Sequence, residues 1–521
     1  MKKAETVLDP RPKSKSELKI VSLTELEKIV HDLKKKGKEV VHCHGVFDLL
    51  HPGHILHFEA AKREGDVLIV TLTKDEHVGK GPGRPVFNQR LRAESIASLG
   101  CVDYVAVNEW PTAVDTILKL KPDVYSKGAD YENPEDDLTG KIKDEEDAVR
   151  SVGGRTHYTH EITFSSTEIL NRHYMVYPDQ AQNFLEKFRK KYSDSDAIRA
   201  LKSVQGIKTL VIGDSIIDEY HFCQPMGKSP KESIVASRYL REEAFAGGIL
   251  ACANHLAGFC SDVHIVSVLG KSDSKEDFIL DHLKPHIRPK FFYREDAPTI
   301  VKRRYVWDPF LVKMFEVVFL DERPLPRALE KQVLEYLNKI VGGYDLVVVT
   351  DYGHGFLTPE LIELLCRKSK FLAVNTQTNS ANTGYNTINK YQRADYVCID
   401  EPEMRLAHQD KFGRLEDLIS KTAKKLKCGH VTVTRGHLGS LTYSKKEGFF
   451  ETPIFSKEIV DRVGAGDAFL AVTAPCAAKG IPSDLLGFIG NTVGALAVRI
   501  VGNRTPVEPI PLFKFMTALL K

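Results

Sequence analysis

The sequence predicts an α/β protein with two domains, and three observations lead to this prediction. Apolar, strand-like runs alternate with amphipathic helical segments in two separate series. With 521 residues, the chain is too long for one ordinary domain. A polar, strongly charged stretch lies between the two series. We therefore expect a first domain over residues 1–175, a helical linker over 176–204 and a second domain over 205–521.

The first series begins with one helix and continues as a βαβ unit, in which Gly65 ends the helix between two buried strands. More strands and helices follow, so we expect a doubly wound parallel sheet. The acidic run ENPEDDLTGKIKDEEDAV is interpreted as a solvated loop and helix face. In order, the segments are LTELEKIVHDL (helix), KEVVHCHGVF (strand), ILHFEAAKREG (helix), DVLIVTLT (strand), FNQRLRAESIASLG (helix), YVAV (strand), AVDTILKLK (helix) and DVYSKG (strand).

The second series is also α/β, and its tail after DRVGAGDAF is helical. The segment PTIVKRRYVWDPFLVKMFEV forms either the strands of a small β lid or a simple hairpin. Within it, Lys302, Arg303 and Arg304 either face a substrate phosphate or only solubilise an exposed strand. The strands of this series are KTLVIGDSIIDEY, VHIVSVLG, YDLVVVTD, FLAVNT, YVCID and HVTVTRG.

Composition excludes several classes of function. Lys and Arg total 73 against 70 Asp and Glu, and a net charge of +3 gives no broad surface for nucleic acid or anionic membrane. The nine cysteines are scattered without a CxxC pair, which argues against a disulfide framework or a zinc site. The charged N-terminus does not resemble a signal peptide, and GFIGNTVGALAVRIVG is too short for a membrane span. We expect a cytoplasmic protein that acts on small molecules.

The stretch HPGH places His51 and His54 where a strand gives way to a helix. Such a turn presents free backbone N–H groups to a phosphate, and two imidazoles add donors for charge that develops at phosphorus. Gly53 lets the backbone approach closely. A bare HxxH more often marks ordinary polar residues at a helix start, and no third ligand supports zinc. The surrounding sequence decides between these interpretations.

That surrounding sequence resembles the nucleotidyltransferases that include cytidylyltransferases and sugar-activating adenylyltransferases. The strings GVFDLLHPGH, GKGPGRPVFNQRLRAESIASLGCVDYV, KPDVYSKGADY and FSSTEILNR carry the resemblance. It implies that a sugar or polyol phosphate attacks the α-phosphorus of a nucleoside triphosphate, with Mg²⁺ assisting and His51 and His54 stabilising the transition state. Cys43 and His44 stand where Thr-Asn is usual, so ATP and CTP both remain open. The implied nucleotide-binding residues are Gly45, Phe47, Lys80, Arg84, Lys127, Ser165, Ser166 and Thr167.

The motif DRVGAGDAF carries the chemistry of the second half. Gly464 and Gly466 let consecutive N–H groups point at one anion, and Asp467 follows at a helix start, where it can accept a hydroxyl proton. In isolation, GxGD is more simply a glycine turn with an aspartate cap. The ordered motifs from about residue 205 onward resemble those of ribokinase-like sugar kinases. The resemblance implies Asp467 as base, Gly464, Ala465 and Gly466 as anion hole, Asp214, Asp218, Gly247 and Gly248 at the sugar, Thr434, Gly436 and Gly439 at ATP, and Glu403 linked indirectly to Mg²⁺.

Departures from that pattern lie on the sugar side of the predicted kinase site. Ala251 stands where the heptose kinase branch has asparagine, and His354 and Gln377 stand where it has lysine. We hypothesise that the kinase accepts a different sugar, one without the phosphate that a lysine would pair with. The competing hypothesis is a degenerate kinase retained as a scaffold.

The two halves together resemble the bifunctional ADP-heptose synthases of bacterial lipopolysaccharide assembly, with the domain order swapped. The resemblance predicts a sugar kinase and sugar-phosphate nucleotidyltransferase that makes an ADP-heptose-type sugar for lipopolysaccharide or surface glycan. The alternative is CTP-dependent synthesis of a CDP-sugar or CDP-polyol. A non-enzymatic role for one half, as a sensing or assembly module, predicts binding without turnover. Because ribokinase-like kinases often dimerise through a lid, we expect a homodimer.

Overall fold

The computed structural model describes residues 14–132, 141–160 and 177–521. The chain divides into two compact units. The first unit is Met1–Val176 with Phe513–Leu519 and Lys521, and the second is Tyr177–Leu512 with Leu520. Each unit is organised around its own sheet, as the two series of strands predict.

The first unit contains a five-stranded, all-parallel sheet in the order β3-β2-β1-β4-β5. The winding direction of the chain reverses between β1 and β4, and ligands of doubly wound sheets bind at the carboxyl ends of the strands beside such a reversal. The strands are β1 (Val40–Gly45), β2 (Val67–Leu72), β3 (Tyr104–Val107), β4 (Val124–Gly128) and β5 (Arg155–Thr159). The helices are α1 (Leu23–Lys35), α2 (Pro52–Lys62), α3 (Gln89–Ala97), α4 (Val114–Leu120) and α5 (Ile142–Ser151).

Local sequence explains where these helices begin. Ser22 and Glu25 form a capping box at the start of α1, and Asn88 caps α3 through the N–H of Leu91. His51 caps α2, with Pro52 as its first residue. Val41 and Leu68 are buried with Phe58 of α2, and Val40 and Ile69 with Leu26 of α1, so helices cover both faces, which confirms the predicted doubly wound sheet. The end of the acidic run lies in α5, and its earlier part falls mostly outside the described residues.

The second unit contains a nine-stranded sheet in the order β10-β9-β6-β13-β14-β15-β16-β17-β18. It is parallel from β10 to β16, and β17 and β18 add an antiparallel edge. Its strands are β6 (Lys208–Gly213), β9 (Asp262–Gly270), β10 (Ile287–Arg294), β13 (Leu346–Asp351), β14 (Leu372–Thr376), β15 (Tyr396–Asp400), β16 (His430–Thr434), β17 (Ser440–Ser444) and β18 (Gly448–Thr452).

A second, four-stranded sheet forms the lid of this unit, in the order β12-β11-β7-β8. Strand β11 pairs with β12 in a hairpin and also pairs in parallel with β7, which begins some 85 residues earlier in the chain. Of the two sequence-based interpretations, the structure therefore has the lid rather than a simple hairpin. The lid strands are β7 (Ser215–Lys228), β8 (Val235–Gly248), β11 (Ile300–Trp307) and β12 (Val312–Phe319).

The segment interpreted as a connector forms two helices that pack within the second unit. The Phe188 ring stacks on Phe488 with 4.7 Å between centroids, and Lys191 Nζ lies 2.6 Å from Asp484 Oδ2. Its helices therefore belong to the domain that follows them. The helices of this unit are α6 (Asp179–Phe188), α7 (Asp194–Lys202), α8 (Ile249–Leu256), α9 (Glu276–His282), α10 (Arg327–Ile340), α11 (Pro359–Lys368), α12 (Glu401–His408), α13 (Leu415–Lys425), α14 (Ala465–Ala478), α15 (Ser483–Ala497) and α16 (Pro509–Leu520), part of which is counted with the first unit.

The apolar stretch near the C-terminus lies largely in α15, whose residues are mostly buried. None of the helices in the described ranges has both the length and the apolar character needed to cross a bilayer.

Candidate functional sites

The first site lies where β1 leads into α2. Phe47 has a positive φ of 48°, and its ring packs 5.2 Å from His54 and 4.9 Å from Phe58, between centroids. Gly45 leaves room for that ring, because a Cβ there would lie 2.8 Å from Phe47 Cζ. Gly45 and Phe47 therefore form one packing unit that supports the His54 imidazole.

The two imidazoles lie against each other, with ring centroids 3.8 Å apart. The backbone N–H of His54 donates to His51 Nδ1 at 3.3 Å. Since Nδ1 accepts this bond, neutral His51 carries its proton on Nε2, which is then a donor. Burial lowers the pKa of His54 to about 3, and burial with nearby Lys80 also lowers the pKa of His51. Both rings are therefore neutral near pH 7.

The predicted phosphate-binding cations differ in their surroundings. Arg84 Nε donates to Asp48 Oδ2 at 2.6 Å, and both side chains are fully buried. Lys127 Nζ lies 2.9 Å from Glu145 Oε2. Burial lowers the pKa of Lys80 to about 8, and its charge lowers the pKa of both imidazoles. The structure thus brings Lys80 to the histidines, whereas Arg84 and Lys127 have carboxylate partners that the sequence interpretation did not assign.

His44 takes part in a chain of side-chain hydrogen bonds that the sequence did not predict. His44 Nδ1 lies 2.8 Å from Thr71 Oγ1, which also contacts His42 Nε2 at 2.7 Å. His44 Nε2 lies 3.3 Å from Thr73 Oγ1. The alternation of His42 and His44 along β1 was the available signal, because residues two apart share one face of a strand. The predicted residues Ser165, Ser166 and Thr167 lie outside the described part of the chain.

The second site is a cavity of about 570 Å³ in the second unit. It brings together most of the residues predicted for the kinase. Two are absent from its lining: Asp214, which accepts the N–H of Tyr352 at 3.2 Å, and Gly247, where a Cβ would lie 2.1 Å from Asp218 Oδ2. Both therefore contact residues of the lining, Tyr352 and Asp218. The predicted residues in its lining are Asp218, Gly248, Glu403, Thr434, Gly436, Gly439, Gly464, Ala465, Gly466 and Asp467.

The glycine turn before α14 has little room for any side chain. Gly464 has a φ of 81°, and a Cβ there would lie 1.9 Å from Asn503 Oδ1. Only glycine fits this position without strain. Gly464 is the N-cap residue of α14, so the first N–H groups of this helix lie at the cavity and are suited to an anion.

Asp467 lies in the first turn of α14, and its Oδ1 accepts two hydrogen bonds. Tyr352 Oη donates at 2.7 Å and Gln377 Nε2 at 3.1 Å. Burial raises the pKa of Asp467 to about 7, an effect that Asp218 reinforces. A carboxyl group that titrates near neutral pH is suited to general-base catalysis. Neither donor was predicted as such, because they come from loops after two different strands.

Acidic groups also line the cavity beside α12. Asp400 and Glu403 form the capping box of this helix, and Glu403 Oε1 accepts the N–H of Thr378 at 2.9 Å. Burial and the neighbouring Asp400 raise the pKa of Glu403 above its ordinary value. A divalent cation would relieve this burial of acidic groups, and carboxylate oxygens are the ligands that Mg²⁺ prefers. Because both Glu403 oxygens accept backbone N–H groups and the described residues contain no cluster of three or more candidate metal ligands, the indirect link of Glu403 to Mg²⁺ stays a prediction.

The lid strand β11 separates its three basic residues. Lys302 lines the cavity, with Nζ 5.5 Å from the Tyr352 ring centroid. Arg304 also lines it and pairs with Asp218 and, at 2.8 Å, with Glu316. Arg303 donates to Glu219 at 2.7 Å. The alternation along the strand thus places Lys302 and Arg304 at the cavity and leaves Arg303 out of its lining.

Residues 208–510 match the family model described as pfkB family carbohydrate kinase, and residues 42–172 match that of cytidylyltransferase-like proteins. The chain is 36% identical over 181 residues to Bifunctional protein HldE of Trichlorobacter lovleyi (34% of this chain, 33% of that protein). It is 42% identical over 147 residues to that of Aliarcobacter butzleri (28% and 30%). The chain therefore spans about a third of the length of these curated relatives.

Solved structures similar to this chain include a ribokinase from Thermotoga maritima, at a TM-score of 0.47 and 18% identity, over 59% of this chain and 99% of that one. Phosphofructokinase-2 from Escherichia coli, in complex with potassium, has a TM-score of 0.49 and 14% identity, over 60% and 100%.

Proposed function

The chain belongs to the pfkB family of carbohydrate kinases, and from this premise we propose that it is a bifunctional sugar kinase and sugar-phosphate nucleotidyltransferase. The proposed product is an ADP-heptose-type sugar for lipopolysaccharide or surface glycan. The observation that carries the proposal is the occurrence, in one chain, of the His51–His54 pair and of the glycine turn with Asp467. Relatives named as bifunctional HldE proteins support it.

In the proposed kinase reaction, Asp467 accepts the proton of a sugar hydroxyl while the hydroxyl oxygen attacks the γ-phosphorus of ATP and ADP leaves. The N–H groups of Gly464, Ala465 and Gly466 bind the transferring phosphoryl group. Glu403 would be linked indirectly to Mg²⁺, which supplies neutralisation of phosphate charge when bound. Asp218, which also lines the cavity, orients the sugar.

In the proposed nucleotidyltransferase reaction, a phosphate oxygen of the sugar phosphate attacks the α-phosphorus of ATP and pyrophosphate leaves. His51 and His54 each donate an N–H to the phosphoryl oxygens, on which negative charge increases in the transition state. Lys80 supplies positive charge beside them.

We propose that the protein acts in the cytoplasm as a homodimer joined through the lid. The nine cysteines are all free, which fits a reducing compartment. Both edge strands of the lid expose large apolar side chains, which supports association there. They are Val235, Tyr239 and Leu240 on β8 and Phe315, Val317 and Phe319 on β12.

The proposal is tested with the purified full chain. We expect pyrophosphate release with heptose 1-phosphate and ATP, and ADP formation from ATP with heptose or a heptose phosphate as acceptor. Release with CTP but not ATP would replace the product by a CDP-sugar. Absence of release with every nucleoside triphosphate would refute the nucleotidyltransferase proposal, and sugar binding without ADP formation would favour the scaffold hypothesis.

Lys302 is expected to contribute to substrate binding in the kinase cavity. His354 and Gln377 carry no permanent charge where the resembled kinases have lysine, so Lys302 keeps a cation in this cavity. We expect Lys302→Gln to raise the KM of ATP or of the sugar about tenfold, because a hydrogen bond to a charged group contributes about 1.5 kcal/mol. Steady-state ADP formation measures this change.

Arg303→Gln is the matched control for Lys302→Gln, since Arg303 lies next to it on β11 but pairs with Glu219 and does not line the cavity. Its KM values should stay within twofold of those of the unmodified protein. Equal effects of the two substitutions would show that Lys302 acts only through general charge or lid stability.

A further inference from the structure

The Asp467 carboxylate is held through one of its two oxygens. Tyr352 and Gln377 both donate to Oδ1, from loops that follow β13 and β14. Within the described ranges, Oδ2 accepts no hydrogen bond from the protein, and Asp467 lies in the cavity lining. The two oxygens therefore have different surroundings: Oδ1 is fixed, and Oδ2 remains for a substrate proton.

The backbone of Gln377 is fixed by hydrogen bonds at both its N–H and its carbonyl. Its N–H donates to the carbonyl of Asp351 at 2.8 Å, and its carbonyl accepts Asn386 Nδ2 at 3.0 Å. The same Nδ2 reaches the Asp351 carbonyl at 2.9 Å. The loop therefore fixes the backbone from which the Gln377 side chain reaches Asp467.

The other donor is held by the same loop. Asn379 Nδ2 and Asn382 Nδ2 both donate to the carbonyl of Tyr352, at 2.9 and 2.7 Å. We call Asn379, Asn382 and Asn386 the asparagine clamp. Gly353 leaves room for this clamp, because a Cβ there would lie 2.4 Å from Asn382 Nδ2. The clamp therefore fixes the backbone of both residues that donate to Asp467.

The residue after Gln377 reaches the second acidic group of the cavity. The backbone N–H of Thr378 donates to Glu403 Oε1 at 2.9 Å. Two consecutive residues thus hold the two carboxylates that the kinase reaction uses, one through a side chain and one through the backbone. Their spacing is set by a single short segment.

We propose that Gln377 is a positioning residue for the kinase base: its amide fixes Oδ1 of Asp467 so that Oδ2 accepts the sugar proton. This inference rests on the proposed kinase function. The amide orients the carboxylate without adding a positive charge, which a lysine at this position would do. As a neutral donor the amide lowers the pKa of Asp467, which burial nevertheless keeps at about 7.

Other groups also shift the pKa of Asp467, and they must stay unchanged in any test of Gln377. Asp218 on β7 raises its pKa, whereas Lys302 on β11 and the Tyr352 hydroxyl lower it. The thiols of Cys252 on α8 and Cys398 on β15 also interact with it electrostatically. Substitutions at Gln377 leave all five groups in place, so a change in titration reports on Gln377 itself.

The test compares Gln377→Lys and Gln377→Leu with Gln392→Lys, a matched change at an exposed glutamine. Phosphoryl transfer requires unprotonated Asp467, so kcat rises with pH through its pKa. A cation within about 4–6 Å lowers a carboxyl pKa by about 1–3 pH units, so Gln377→Lys should move this rise to lower pH. Gln377→Leu removes a donor to the carboxylate and should move it to higher pH, with kcat reduced about tenfold and the KM of the sugar little changed.

A second readout does not need turnover. The carboxyl stretch of Asp467 is followed by infrared spectroscopy against pH, with Asp467→Asn as the reference that removes the band. Ordered midpoints, lowest in the lysine variant and highest in the leucine variant, support the role of Gln377. Identical midpoints in folded variants overturn it. If the unmodified protein phosphorylates no sugar tested, the proposed function fails, and the infrared midpoints still decide the inference.

Discussion

Asp467→Asn is expected to reduce ATP-dependent sugar phosphorylation about 1,000-fold, because general-base catalysis contributes about 10²–10⁴-fold. The asparagine oxygen can still accept the hydrogen bonds of Tyr352 and Gln377. The amide nitrogen then lies where Oδ2 was, and it cannot accept a proton. The substitution therefore preserves the shape of the site and removes its chemistry. ADP formation at saturating ATP and sugar measures the loss.

Two controls separate this loss from a general defect. Asp281→Asn makes the same chemical change at an exposed aspartate of α9 and should leave phosphorylation within twofold of the unmodified protein. Pyrophosphate release by Asp467→Asn should also be retained, since the two proposed sites lie in different compact units. Phosphorylation that stays within tenfold of the unmodified rate would show that Asp467 is not the base.

Local patterns predicted both strand series, the glycine turn and the histidine pair. These features depend on residues close in sequence: His51 and His54 belong to one helix start, and Gly464 to Asp467 to one turn. Their geometry follows from helix capping and from the conformational freedom of glycine. The sequence alone therefore predicted those parts of each site whose residues all lie within one short segment.

Features that join distant segments were not predicted. The ion pair of Arg84 with Asp48 links residues 36 apart, and the contact of Tyr352 with Asp467 links residues 115 apart. The parallel pairing of β11 with β7, which forms the lid, also joins distant segments, since it places Val301 opposite Ile217. A side chain's partner at such separations depends on the topology of the sheet, which periodicity does not determine.

The asparagine-rich segment that includes the end of β14 is a second case in which long-range contacts could not be predicted from the sequence. Its composition, NTQTNSANTGYN, is typical of a surface loop. In the structure, three of its amides bind the backbone carbonyls of Asp351 and Tyr352, next to the proposed kinase base. The loop composition was visible in the sequence, but the carbonyls that it binds belong to the end of β13 and the turn after that strand, about 25–35 residues earlier.

His54→Ala is expected to reduce pyrophosphate release about 100–1,000-fold, because loss of one preorganised donor to a developing oxyanion costs about that factor. His54 is a better test than His51, which also caps α2 and whose replacement would weaken the helix. The substitution leaves Phe47 and the cap in place. Release of pyrophosphate from ATP with heptose 1-phosphate provides the measurement, and His31→Ala, at an exposed position of α1, is the matched control.

The pH dependence of the same reaction distinguishes a neutral donor from an imidazolium. Burial, with His51 and Lys80 nearby, lowers the pKa of His54 to about 3, so the ring stays neutral at every pH above about 4. The ratio of unmodified to His54→Ala rates should therefore be constant between pH 6 and pH 8. A ratio that falls as pH rises through about 6.5, the ordinary pKa of histidine, would mean that the charged form stabilises the transition state. A constant ratio near one would remove His54 from the mechanism altogether.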